Sequence, residues 1–79
     1  MSNEFHPAPT EFREDQIQES PILRYFHYTH LPDRLKVVSY QFFLLAWFIV
    51  QNLPPSAERT VALRKLLEAK DAGVRANLP

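Results

Sequence analysis

The sequence predicts an all-α protein: a short N-terminal element followed by an antiparallel hairpin of two long helices, assembled as a homo-oligomer. Three observations predict it. The stretch Leu35–Leu53 holds nine consecutive apolar residues, Phe42 to Val50, and is apolar nearly all round. Pro54-Pro55 ends it, and Ser56 with Glu58 then opens a second periodic segment. The 79 residues contain no cysteine and no Cys/His group of metal-site spacing, so neither a disulfide nor a metal supplements a core this small. Association is what remains.

Residues 1–19 are polar and acidic, with Pro7 and Pro9 and no sustained period. They carry too little apolar surface to offset the entropy of ordering and are expected to be mostly disordered. The alternative is that Phe5, Phe12 and Ile17 dock on a neighbour. The domain proper is expected over residues 20–79.

Ser20-Pro21 reads as an N-cap followed by proline at the first helical position, opening one or two turns. Next come Leu23, Arg24, Tyr25, Phe26, His27, Tyr28, Thr29, His30, Leu31 and Pro32. This run fits neither a regular helix nor a regular strand, and Pro32 restricts Leu31 to extended geometry. An extended or turn segment, laying aromatic rings against the hairpin, is the expectation.

The first long helix is expected from Pro32 or Asp33, an acidic start that suits the positive end of the macrodipole, to just before Pro54. At about 100° per residue, Leu35, Val38, Phe42, Leu45, Ala46, Ile49 and Leu53 line one side. Val37, Tyr40, Leu44, Trp47 and Phe48 line another, and Arg34, Gln41 and Asn52 share a polar strip. A helix apolar on opposed faces is buried or spans a membrane. Since spanning takes about 20 apolar residues, protein on both sides is the expectation here.

Ser56 caps the second helix, which is expected to reach about Ala76. Leu63, Leu66, Leu67 and Val74 form its core stripe, and Ala62, Ala69 and Ala76 recur every seven residues beside it. Arg64, Glu68, Asp71 and Arg75 form a solvent face with the i,i+4 pairs Arg64–Glu68 and Asp71–Arg75. Arg59 and Lys70 project from within the leucine stripe. Either they snorkel from the core edge or they hold an anion in a sheltered groove. The short connection forces the two helices antiparallel.

Charge is distributed unevenly. Residues 1–23 carry five acidic residues against Arg13, a net −4, whereas residues 24–79 carry eight basic residues against four acidic ones, a net +4. A mildly basic helical part suits a small anion and lacks the concentrated basic face of a nucleic-acid binder. No catalytic constellation is expected. The serines lack the context of a nucleophile elbow, and Gly73, the single glycine, cannot make a phosphate loop. His27 and His30 stand i,i+3 but lack a third metal ligand, so no metal and no cofactor is expected. The aromatic run Tyr25–Tyr28 either covers the second apolar face of the long helix or forms a platform on which bases stack.

With these elements in place, the chain resembles the phage anti-CBASS sponges, small helical homo-oligomers that sequester the cyclic nucleotides of bacterial immunity. Phe26 and Tyr28 match the family's F-x-Y element, Asp33-Arg34 approximates its acidic-basic helix start, and Leu45-Ala46 matches its L-A pair. Pro54, Pro55, Ser56 and Glu58 match the turn, and Ala62, Leu63, Leu66, Glu68 and Ala69 match the second helix. The resemblance spans about residues 24–76. It implies that Tyr28 stacks on a base, beside Tyr25 and Phe26. The family's phosphate-holding cations on the first long helix have no counterpart at Ser39–Phe43, which leaves Arg24, Lys36, Arg59 or Lys70 as donors.

The resemblance further implies a cytosolic protein of the infected bacterium, with hexamers among the candidate assemblies. The modest basic charge and the lack of a strongly polar face on the apolar helix point away from long nucleic acids and membranes as partners. The absence of cysteine fits a reducing cytosol, and an acidic N-terminal stretch without an apolar h-region is not expected to act as a signal peptide. A purely structural alternative stands beside the sponge: a non-enzymatic helical interaction module whose aromatic surface meets another protein.

Overall fold

The computed structural model describes residues 9–78. In chain order they form helix α1 (Glu14–Glu19), a 3₁₀ helix (Pro21–Phe26), helix α2 (Asp33–Asn52) and helix α3 (Ala57–Ala76). Every regular element is helical; no strand occurs among the described residues.

The expectation of a disordered tail over 1–19 fails from Phe12 onward. The Arg13 backbone N–H donates to the Gln16 side-chain oxygen at 2.8 Å. Glu14 and Asp15 occupy the first turn of α1, where negative charge is favoured. Phe12 is only 4% exposed, and its ring centroid lies 4.8 Å from that of Phe43. One large aromatic buried at the core outweighs the polar composition around it. The half-buried Ile17 packs beside it. Phe5 falls on residues 1–8, outside the described part, as does the rest of the tail expectation there.

Pro21 sits at the first position of the 3₁₀ helix, as its fixed φ favours, and the Leu23 N–H reaches back to the Ser20 carbonyl at 3.0 Å. Ser20 gives no side-chain cap. The helix continues through Phe26, where the sequence suggested extended chain. A 3₁₀ turn has three residues, so side chains i and i+3 eclipse. Leu23 and Phe26 therefore point the same way, and both are fully buried. Arg24 and Tyr25 are left outside.

The long helices begin and end where the sequence places them. Pro32 precedes α2, its carbonyl accepting from Leu35 and Lys36 at 2.9 and 2.8 Å. Asn52 closes the far end through its side chain on the Phe48 carbonyl at 2.8 Å, and Pro54-Pro55 follows. The Ser56 hydroxyl accepts from the Arg59 N–H at 3.0 Å, a cap whose loss costs about 1 kcal/mol. The two helices pack along their length. Arg34 Nε donates to the Asn77 carbonyl and Asn77 Nδ2 returns to the Arg34 carbonyl, both at 2.9 Å. At Gly73 the packing leaves room for a Cβ, which would meet the Phe42 ring and Val38 at an ordinary contact distance of 3.4–3.5 Å.

The core divides α2 differently from the two apolar sides read in the sequence. Its innermost line is Ser39, Phe43 and Ala46, which runs between those sides and includes a residue, Phe43, assigned to neither. Leu63 of α3, Leu23, Phe26, Phe12 and Tyr28 complete the cluster, with Trp47, Leu66 and Leu67 half-buried around it. Val37, Tyr40, Leu45 and Phe48 stay exposed. Of the alanine repeat, Ala69 and Ala76 are exposed and Ala62 is half-buried. The expected i,i+4 ion pairs on α3 are replaced by shorter-range ones: Lys65 faces Glu68 and Lys70 faces Asp71, each at 3.7 Å.

Candidate functional site

The chain leaves the 3₁₀ helix at His27, turns through Thr29-His30 with the Leu31 N–H on the Tyr28 carbonyl at 3.0 Å, and enters α2 at Asp33. This tight return lays Tyr28 against the first three turns of α2. Its ring meets Tyr40 edge-on at 5.0 Å and Phe43 at 5.2 Å, the arrangement aromatic quadrupoles favour. Together with Asp33, Lys36, Val37 and Tyr40, Tyr28 lines an open groove of about 510 Å³. The groove lies beside the exposed face of α2.

Two of the expected ligand-binding residues, Tyr28 and Lys36, meet in this groove. Tyr28 contributes only part of its surface, being 8% exposed. Burial, and secondarily the neighbouring Tyr40, hold its hydroxyl above the ordinary tyrosine range. Tyr40 presents the larger open ring face. It was legible only as a member of an apolar side; its i,i+4 spacing from Lys36, which puts ring and cation on one helix surface, is the signal that marks it. Lys36 stands 3.9 Å from the fully exposed Asp33 carboxylate, a pairing that solvent screens.

The remaining candidates lie elsewhere. Phe26 is sealed in the core and offers no face to a ligand. Arg24 and Tyr25 are exposed on the 3₁₀ helix. Lys70 Nζ donates to the Tyr25 carbonyl at 2.8 Å, so this cation fastens α3 to the 3₁₀ helix.

Arg59 departs furthest from a ligand role. It is 5% exposed, donating from one terminal nitrogen to the Leu53 carbonyl at 3.0 Å and from the other to Glu19 Oε1 at 3.3 Å and Ser20 Oγ at 3.5 Å. A buried guanidinium is stable only when its donors are matched. This one ties α1, the 3₁₀ helix and the α2–α3 connection to a single point. The adjoining small cavity of about 180 Å³ is lined by Glu19, Ser20, Pro21, Ile22, Thr60 and Leu63.

Among the described residues, the half-buried His27 finds no partner for its Nε2 and Ser39 Oγ finds none inside the core, while His30 is exposed. Among the described residues no three His, Asp or Glu side chains gather as metal ligands do, and no helix is long and apolar enough to cross a membrane. No family model, curated protein or solved structure matches the chain.

Proposed function

We propose that the protein is a non-enzymatic sponge of the anti-CBASS type. In this reading the antiparallel hairpin of α2 and α3 is the unit of a homo-oligomer. The assembly binds a cyclic nucleotide signal (a cyclic di- or oligonucleotide, or a cyclic ADP-ribose) in the host bacterial cytosol without cleaving it, and so suppresses anti-phage defence. The observation that carries it is the groove, where two tyrosine rings and one lysine border about 510 Å³, within the roughly 300–1,000 Å³ of small-molecule sites. Tyr40 supplies the stacking face, with Tyr28 packed edge-on behind it. Lys36 supplies a mobile cation for phosphate. Arg59 and Lys70 act through the fold, because their donors already serve Leu53, Glu19, Ser20 and Tyr25.

Calorimetry against cyclic di- and trinucleotides and cyclic ADP-ribose isomers tests this. Tyr40→Ala should lose a stack worth roughly 1–3 kcal/mol, about 5- to 150-fold in affinity. Lys36→Ala should weaken binding, and salt should mimic it in part. Ligand recovered intact after heat denaturation supports a sponge; an assembled protein that binds nothing in the panel refutes it. A second reading, a protein–protein interaction module, draws on the exposed apolar side chains Val37, Leu45 and Phe48. It takes over if the panel is silent.

A further inference from the structure

The side chains of α2 that the core leaves open are not scattered. Val37, Gln41 and Phe48 are exposed, and Leu44, half-buried with one side on the core, stands between them; the four recur at spacings of four, three and four, the seam spacing by which helices pack on each other. Tyr40 and Leu45 flank this seam. The exposed fractions of Val37 (69%), Tyr40 (37%), Leu45 (51%) and Phe48 (55%) amount to on the order of 400 Å² of open apolar surface, the size at which patches on monomers become functional. That is about half of the ~800 Å² each partner buries in a standard interface. Lys36, Gln51 and Asn52 lie around it as a polar rim.

Charge decides what covers this seam. Every charged residue of α2 (Asp33, Arg34 and Lys36) lies in its first turn, and none follows before Asn52. A second copy laid antiparallel sets that charged turn over the partner's neutral last turn and opposes the two macrodipoles. A parallel copy sets Arg34 and Lys36 beside themselves. The seam's one polar member is Gln41, whose amide both donates and accepts. It can therefore lie close to a two-fold axis, diagonally beside its own copy, where a charge would repel itself.

We infer that the Val37–Gln41–Leu44–Phe48 seam of α2 pairs antiparallel with the same seam of a second copy, and that Phe48 of the partner subunit closes the outer side of the Tyr28–Lys36–Tyr40 groove. This rests on the homo-oligomer reading above and specifies its surface and register. With the axis between Gln41 and Leu44, Val37 faces Phe48 of the partner subunit, Tyr40 faces the partner's Leu45 and Gln41 faces the partner's Leu44. Val37 already lines the groove, so the partner's phenyl ring lands at its open edge. A flat ligand then lies between Tyr40 and a second aromatic wall that a single chain does not provide.

The chain has no cysteine of its own, which makes cross-linking site-specific. The full-length protein is weighed by native mass spectrometry at tens of micromolar. Val37→Cys and Phe48→Cys are then oxidised separately and after co-expression. Both positions are exposed, and far-UV circular dichroism checks that each variant keeps its helices. The antiparallel register puts Val37 about 16 Å along the axis from its own copy, beyond the ~7 Å reach of a disulfide. Only the co-expressed pair should therefore cross-link. Phe48→Lys should lower the oligomer mass with helicity retained.

Self-cross-linking of Val37→Cys overturns the register. An oligomeric mass with no cross-link in the co-expressed pair, or one unchanged by Phe48→Lys, overturns this seam and leaves the sponge reading standing. A monomeric mass overturns both.

Discussion

Replacing Phe12 with alanine is the sharpest test of the argument that the N-terminal segment belongs to the fold. Phe12 keeps 4% of its surface and stacks tilted on Phe43, 4.8 Å between centroids, while Phe43 is itself fully buried at the centre of α2. Burying a phenylalanine and removing it again costs about 3–5 kcal/mol in a core. The site lies near the end of the described chain and can relax, so the low end applies, about 3 kcal/mol.

For a domain of this size each kcal/mol moves the melting temperature by about 4–8 °C, giving a fall of roughly 12–24 °C. Thermal unfolding followed by circular dichroism at one fixed protein concentration measures it, the fixed concentration holding the contribution of assembly constant. Arg13→Ala is the control. Among the described residues its exposed guanidinium reaches the exposed Asp15 alone, so the change should stay within about 0.5 kcal/mol. A Phe12→Ala loss no larger than the control's would refute the reasoning and return residues 9–19 to a dispensable tail.

Arg59→Ala should destabilise by about 3 kcal/mol, because it strips the Leu53 carbonyl and Ser20 of a donor at a buried site. Glu19→Ala should cost less, about 1 kcal/mol, since that carboxylate is half-exposed and its attraction is screened; urea midpoints of the two variants give the order, and equal losses would contradict it. Gly73→Ala should stabilise by about 0.5–1 kcal/mol in thermal melts, as alanine favours the helix and its methyl meets Phe42 and Val38 at ordinary contact distance. The Tyr28 hydroxyl, held above the usual value of 10.0 by burial and then by Tyr40, ionises first in the unfolded chain. The unfolded state thus loses the proton before the native state does, so stability present below pH 10 falls as pH rises through the native value. Tyr28→Phe should flatten that alkaline loss in urea midpoints, and an absorbance titration should show one late tyrosine in the wild type that the variant lacks.

What the sequence by itself determined was everything that rests on local chemistry. Pro54-Pro55 cannot continue a helix and Ser56 caps one, so the bounds of α2 and α3 were legible to within a residue. The leucine stripe of α3, with Arg59 and Lys70 rising from it, was legible from the 3.6-residue period. What only the tertiary structure decided was which of several equivalent apolar faces turns inward. A helix apolar nearly all round gives periodicity no preferred direction. The choice of Ser39, Phe43 and Ala46 as the inner line came from the rings of Phe12, Phe26 and Tyr28 packing there.

The same holds for the N-terminal segment, whose polar average hid one buried aromatic and one half-buried isoleucine. It holds also for Arg59, where helical phase gave the position, but the partners that turn a candidate anion ligand into an internal clasp lie about 40 residues away in sequence. Contacts between distant residues depend on how elements dock, and docking is set by the sum of many weak packing terms that no single stretch of sequence carries.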